Sequence, residues 1–433
     1  MKMRPETSWL KLPVTIIASA FGLFYFITSG FGVINSETNR GFFMLFTFLL
    51  CFMLYPASQK KPGSKVLAVL DALLIVLSVA TILYWVFQYP VYAAKRVGIP
   101  SNADIAFGIV MIVLSLEVTR RAMGNTLMIL GIVMLAQVYL GPWLPGIFTH
   151  GGISISRLVE YNFYIDGMFG TIVAVYATYV MPFLLFGAFL QTSGAGDFFI
   201  DLASSFAGKV PGGPALIAVI GSAIFGSISG SPVANVVATG TFTIPMMKKV
   251  GYTKEFAGAV EAAASTGGSF LPPVMGAAAF VLATITETPY SKVMIMAVLP
   301  ALLYYLSIGF QVYFQARRSG LKGLEPAEVP KARDVLKRGW YYVLAILVVA
   351  LLIAGGYSPP VIAFGVTVFV ILCNLIFGAK KDKFTVKKFI GSLESAGGGG
   401  PPARCPPPTL GPPAGGGGGA AARRAALLTL APA

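Results

Sequence analysis

Apolar runs long enough to cross a bilayer recur along the chain, separated by short polar loops. Their approximate limits are 12–31, 41–57, 66–89, 102–119, 125–141, 169–192, 255–288, 293–315, 339–356 and 359–378. A helix needs ~20 residues to span the hydrocarbon core. A further pair of apolar arms, about 214–229 and 232–247, is shorter, at about 16 residues each, and meets at Ser229-Gly230-Ser231-Pro232. The pattern predicts an all-α polytopic membrane protein with about ten transmembrane helices and one re-entrant hairpin. At the hairpin tip Gly226, Gly230 and the serines permit a sharp turn. Pro232 suits the first position of a new helix, where its missing N–H costs nothing, and Asn235 lies one turn further on.

The stretch 255–288 is also interrupted. Ser265-Thr266-Gly267-Gly268-Ser269 followed by Pro272-Pro273 is expected to unwind a helix near its centre, because proline lacks a donor and disfavours helix in the residue before it. Carbonyls and hydroxyls freed at two broken elements make a hard-oxygen environment suited to a small cation, and half-helix N-termini suit an anion beside it. Small residues also serve simple close packing of membrane helices. Two successive breaks, one of them within a hairpin whose ends share a charge sign, favour a binding role.

Composition agrees with the pattern. Over 433 residues the chain is 56% hydrophobic and 11% charged, with a mean hydropathy of +0.77, which excludes an ordinary soluble protein. The net charge of +15 falls in short clusters between apolar runs, as in cytoplasmic loops, and does not indicate nucleic-acid binding. With the N-terminus in the cytoplasm, Lys60, Lys61 and Lys65, then Arg120 and Arg121, Lys209 with Lys248 and Lys249, the stretch Arg317 to Arg338, and Lys380 to Lys388 all fall inside. Arg40, Lys95, Arg96 and Arg157 fall outside. The basic N-terminus and Ala18-Ser19-Ala20 imitate a signal peptide, but the apolar run continues past them and reads as an uncleaved first span.

Cys51, Cys373 and Cys405 are widely spaced, the first two within predicted spans, and form no disulfide framework or CxxC metal-site pattern, while the single histidine, His150, reads as a loop residue. No nucleotide-binding GxxxxGK[ST] loop occurs, and the residues at membrane depth lack the convergent groups of an enzyme. Among ionisable residues in apolar runs, Glu117 is placed to pair with Arg120 and Arg121. Asp71, near the cytoplasmic start of its span, is placed either to snorkel or to contact a neighbouring span, and Glu287 is near a helix end. Glu261 precedes Ser265 by one turn, on one face near the break, and is a candidate for ion or proton coupling; a structural hydrogen bond or a water-exposed position is the alternative.

GSISGSPVANVVATGTFTIPMMKKVGY and FAGAVEAAASTGGSFLPPVMGAAAF resemble the membrane component of TRAP transporters, the tripartite ATP-independent periplasmic solute importers. The chain is similar to the fused permeases, often associated with TAXI-type binding proteins, with 1–121 like the small subunit and 122–394 like the large subunit. The resemblance implies the first half of an inverted-repeat, elevator-type transporter in a bacterial or archaeal cytoplasmic membrane. It implies a periplasmic solute-binding protein as partner, a small organic carboxylate as solute, and sodium as coupling ion with no other cofactor. Matched to the family's hairpin tip and broken helix, Ser229, Gly230, Ser231, Asn235, Thr266 and Gly267 are the expected cation ligands, and Ser231, Pro232 and Asn235 the expected substrate contacts.

The sequence departs from the family after about residue 394. Residues 395–433 are rich in Gly, Pro and Ala, which fits either a disordered tail or a frameshifted end. A truncated, non-functional permease fragment and a channel-like pore therefore remain alternative readings.

The charge pattern requires both ends of the hairpin to lie on one side of the membrane. Single cysteines replacing Lys209 and Lys248 in a cysteine-free background are expected to react with a membrane-impermeant maleimide from the same face. Labelling from opposite faces would overturn the topology.

Overall fold

A computed structural model describes residues 8–32, 35–58, 65–326, 329–378 and 382–398. Among these residues the regular structure is entirely helical. The Gly/Pro/Ala-rich tail from 399 onward lies outside them.

The first five long apolar runs form one helix each: α1 (Ser8–Phe31), α2 (Ser36–Leu54), α3 (Lys65–Lys95), α4 (Asn102–Ala122) and α5 (Asn125–Leu140). A short amphipathic α6 (Ile155–Phe163) follows. Next, α7 (Thr171–Val175) and α8 (Met181–Thr192) are joined by a π-helical turn at Tyr176–Val180. Pro182 supplies no N–H and crowds the carbonyl four residues back, so the backbone widens just before it. The remaining elements are α9 (Ala195–Ala207), α10 (Gly213–Ser229), α11 (Pro232–Lys249), α12 (Lys254–Gly267), α13 (Ala277–Ile285), α14 (Tyr290–Arg318), α15 (Ala332–Ala354), α16 (Pro359–Phe377) and α17 (Val386–Gly398).

Nine stretches of the described chain are long and apolar enough to cross a membrane. They correspond to nine of the ten runs read from the sequence. The tenth, 255–288, is divided into α12 and α13, neither of which could span alone. The start of α15 differs from expectation: the helix begins at Ala332, within the charged stretch Arg317 to Arg338, and kinks at Gly339, where the Phe198 ring packs. Beyond α16, α17 packs along α8.

The chain divides into two compact units. One comprises the described residues up to Phe21 together with Gly32–Thr178. Its core is aromatic: Trp85 stacks on Phe169 with ring centroids 3.9 Å apart, and Tyr92 stacks on Tyr164 at 3.5 Å. Ser101 and Asp104 form a reciprocal cap on α4, and Asp104 also accepts from Tyr84 at 2.7 Å. At the other end of α4, Arg121 is fully buried. Its guanidinium donates to Asp71 at 2.6 Å, to Glu117 at 2.7 Å and to the Tyr55 carbonyl at 3.1 Å, and it lies over the Phe52 ring. Arg120 grips the other side of Glu117. The sequence placed Arg121 among loop cations; the structure makes it the tie between α3 and α4. On α5 no side chain is buried, and Ile129, Leu130, Ile132 and Val133 are exposed.

The second unit comprises Gly22–Phe31 and the described residues from Tyr179 onward. Its centre is built from small residues: Ala215, Ala218, Ala257, Ala264 and Ala316 pack with Val219, Val260, Met247 and Val312 where α10, α11, α12 and α14 meet. In a membrane, helices gain little from burying apolar surface against one another, and close backbone approach through small side chains supplies the packing energy instead. Here it draws the hairpin and the interrupted segment together.

The buried cluster at the end of α4 yields a stability prediction. Arg121→Leu removes the guanidinium that Asp71 and Glu117 share and should cost about 3–5 kcal/mol, the range for breaking a buried ion pair from one side. Asp71→Asn leaves Arg121 paired with Glu117 and should cost less, about 1–3 kcal/mol. Unfolding of the detergent-solubilised variants checks the ranking, and equal costs would contradict the shared-guanidinium arrangement.

Candidate functional site

The chain turns between α10 and α11 as its residues demand. Gly230 has φ of 59°, a left-handed conformation that glycine adopts without penalty, and its N–H closes α10 on the Gly226 carbonyl at 2.9 Å. Ser231 is the N-cap of α11, its Oγ accepting from the Ala234 N–H at 3.3 Å, and Pro232 is the first helical residue, as the sequence predicts. The two helices fold back on each other. Ser222 and Thr239, each eight residues from the turn, bring their hydroxyls to 3.0 Å, and the Asn235 Nδ2 donates to the Ser222 carbonyl at 2.8 Å.

The interruption falls later than expected. Ser265, Thr266 and Gly267 remain in α12, and the non-helical segment is Gly268–Gly276. Prolines 272 and 273 explain this correction. Their rings crowd the carbonyls four residues back, at Gly268 and Ser269, so the helix can run unhindered to Gly267. There Gly268 N–H turns to Ser265 O at 3.2 Å, and α14 takes up neighbouring carbonyls. Tyr304 donates to Ala263 O and Tyr305 to Ala264 O, both at 2.8 Å. Tyr290 holds the far side of the break, accepting from the Met275 N–H at 3.1 Å and donating to Pro273 O at 3.2 Å. These tyrosines were not singled out from the sequence; the Tyr304-Tyr305 pair inside an otherwise apolar run was the available signal.

Tip and break meet backbone to backbone. A Cβ on Gly226 would lie 2.7 Å from the Gly268 Cα, and one on Gly230 would lie 2.7 Å from the Met275 carbonyl oxygen. The Val274 N–H donates to Ser227 O at 2.9 Å, crossing from one element to the other. Four helix ends therefore gather here: the C-termini of α10 and α12 and the N-termini of α11 and α13.

The sequence-derived residues divide accordingly. Ser229 ends α10, and its Oγ is buried without a hydrogen-bond partner among the described residues. Gly230, Ser231 and Pro232 form the turn itself. Asn235 is fully buried one turn below, its amide nitrogen engaged and its Oδ1 3.4 Å from the Thr239 hydroxyl. Thr266 and Gly267 occupy the last turn of α12, where the Thr266 Oγ1 donates to Ala262 O at 2.8 Å and Gly267 packs under Tyr304 and Tyr305. Hydroxyls that donate in this way keep lone pairs free to ligate a cation. Among the described residues there is no cluster of His, Cys, Asp and Glu that could hold a metal ion.

Glu261 lies one turn before Ser265, fully buried, and is held by hydroxyls from three helices. Oε1 accepts from Thr239 Oγ1 at 2.5 Å, Ser222 Oγ at 3.0 Å and Ser265 Oγ at 3.1 Å, and Oε2 accepts from Thr243 Oγ1 at 2.5 Å. The structure thus removes the water-exposed position considered for Glu261. Ser222, Thr239 and Thr243 were missed as its partners, although Asn235, Thr239 and Thr243 recur every four residues on one face of α11.

The model of the family described as "Tripartite ATP-independent periplasmic transporter, DctM component" matches residues 110–399. Relatives include the C4-dicarboxylate TRAP transporter large permease protein DctM of Pseudomonas aeruginosa, 31% identical over 42% of this chain and 43% of that protein. The isethionate TRAP transporter permease protein DctMQ of Oleidesulfovibrio alaskensis is 33% identical over 33% of this chain and 22% of its own length. The ectoine/5-hydroxyectoine large permease protein UehC of Ruegeria pomeroyi is 22% identical over 58% of this chain and 57% of that protein. The chain spans about half the length, or less, of these relatives. With a family match over most of its residues, and a hairpin packed against a broken helix inside that match, this chain belongs to the DctM family of TRAP transporter permeases.

Proposed function

We propose that this chain forms part of the membrane permease of an importer that accepts a small organic anion from a periplasmic solute-binding protein and moves it inward with a cation gradient. Sodium is the coupling ion in this reading, the hairpin is re-entrant from the cytoplasmic side, and the first four spans act as the small subunit. The relatives named for C4-dicarboxylates, isethionate and ectoines support a small charged organic solute as the cargo.

The observation that carries the reading is the meeting of hairpin tip and helix break beside a buried Ser229 hydroxyl that has no hydrogen-bond partner among the described residues. Broken helices at membrane depth are tolerated where protein or a cavity satisfies them, and in secondary transporters such places hold the solute and its coupling ion. The C-terminal ends of α10 and α12 present partial negative charge to a cation coordinated by Ser229, Gly230, Ser231, Asn235, Thr266 and Gly267. The N-terminal ends of α11 and α13 present partial positive charge to a carboxylate at Ser231, Pro232 and Asn235. Each helix end contributes about 0.3–1 kcal/mol, rising to about 2 kcal/mol where partly buried.

The reading is tested on purified protein in lipid nanodiscs. Sodium replacing choline should raise the melting temperature; at a hundredfold excess over its Kd the ion would add about 2.7 kcal/mol of stability. Ser229→Ala and Asn235→Ala should lose that increment while inserting normally, and in vesicles supplied with the binding protein they should lose sodium-dependent uptake. A wild-type protein indifferent to sodium would overturn the assignment.

A further inference from the structure

Glu261 is not needed by the proposed cation pocket, yet it occupies a place where ionised groups are costly. Among the described residues no Lys, Arg or His forms an ion pair with it. Its neighbours are four hydroxyls in direct hydrogen-bond contact, two of them at 2.5 Å. All four contacts are hydrogen bonds from hydroxyls, so among the described residues the carboxyl group meets neutral donors alone. The group fits a proton.

The hydroxyls are arranged for two proton counts. Each carries one hydrogen. Thr239 Oγ1 has a second acceptor one turn back, Asn235 O at 2.9 Å, and Thr243 Oγ1 has Thr239 O at 3.1 Å. With Glu261 ionised, Thr239, Thr243, Ser222 and Ser265 all donate to the carboxylate. With Glu261 protonated, its own O–H donates to one threonine oxygen, and that threonine turns its hydrogen to the carbonyl behind it. In neither state is a polar hydrogen left without an acceptor, so the site avoids the penalty of burying an unsatisfied group.

We infer that Glu261 takes up and releases a proton within the transport cycle, with Thr239 and Thr243 as the hydroxyl switch; the inference rests on the import reading above. On uptake an O–H bond forms at the carboxylate and one breaks in a hydronium ion, leaving water; release is the reverse. The ionised state joins α11 to α12 through two charge-assisted hydrogen bonds, which are about twice as strong as neutral ones. Protonation replaces them with neutral bonds and loosens the hairpin from the broken helix. Among the described residues no other titratable group hydrogen-bonds to Glu261. From α10 only Ser222 faces Glu261. Lys248 and Lys249 are at the far end of α11, Lys254 and Glu255 in the first turn of α12, and Tyr304 and Tyr305 of α14 are engaged on Ala263 O and Ala264 O.

The test is infrared difference spectroscopy of the full chain in lipid nanodiscs between alkaline and acid buffer. A carboxylic-acid C=O band that titrates reversibly is expected, and it should be absent from Glu261→Gln. Thr243→Val should shift the band and Thr243→Ser should restore it, which a merely structural carboxylate would not do. A spectrum in which Glu261→Gln removes no titrating band would overturn the proposal, as would a band unmoved by Thr243→Val. Sodium-induced stabilisation measured on the same samples separates this from the import reading. A titrating Glu261 band in protein that ignores sodium would retain the proton switch and discard the cation pocket.

Discussion

In hydrocarbon a peptide group that leaves its helix must find another partner within the protein, because no water is there to supply one. That constraint organises the centre of this molecule. Nine residues, Gly268–Gly276, interrupt a segment that otherwise reads as a membrane span. Their backbone is met on one side by the hairpin, through the Val274 N–H on Ser227 O, and on the other by Tyr290, while Tyr304 and Tyr305 finish the end of α12. The hairpin, the break and α14 form one hydrogen-bonded assembly, and the small-residue core beneath them follows from the closeness that such bonds require.

Much of this was legible in the order of residues. Gly and Pro announce turns and helix starts through their own backbone preferences, so the tip at Ser229–Pro232 and the existence of a second interruption could be read directly. Long apolar runs gave the spans for the same reason. What escaped was set by partners distant in sequence. The break lies beyond Gly267 because proline acts four residues upstream and because tyrosines forty residues away hold the last turn. Arg121 looked like a loop cation, and nothing near it in sequence indicates that Asp71, fifty residues earlier, would draw it inside. The hydroxyls around Glu261 come from three helices, and only the four-residue recurrence on α11 hinted at them.

The two buried acidic sites solve the same electrostatic problem differently. Around Arg121, carboxylates and guanidinium neutralise one another at short range through Nε and Nη1, while Nη2 has no hydrogen-bond partner among the described residues. Around Glu261 the compensation comes from hydroxyls, each of which can be donor or acceptor. Such a shell tolerates a change of one proton without rearranging the backbone, whereas the guanidinium cluster would be left with an imbalance. The first chemistry fastens two helices; the second leaves their attachment adjustable.

The glycine contacts at the tip have a mechanical consequence. Gly226 against Gly268, and Gly230 against Met275 and Gly276, form a joint with almost no side chains in it. Parting such surfaces unlocks no rotamers and closing them freezes none, so the entropy that ordinarily opposes reassembly of a packed interface is nearly missing. An interface of this kind therefore forms at a smaller entropic cost than one that must order long side chains.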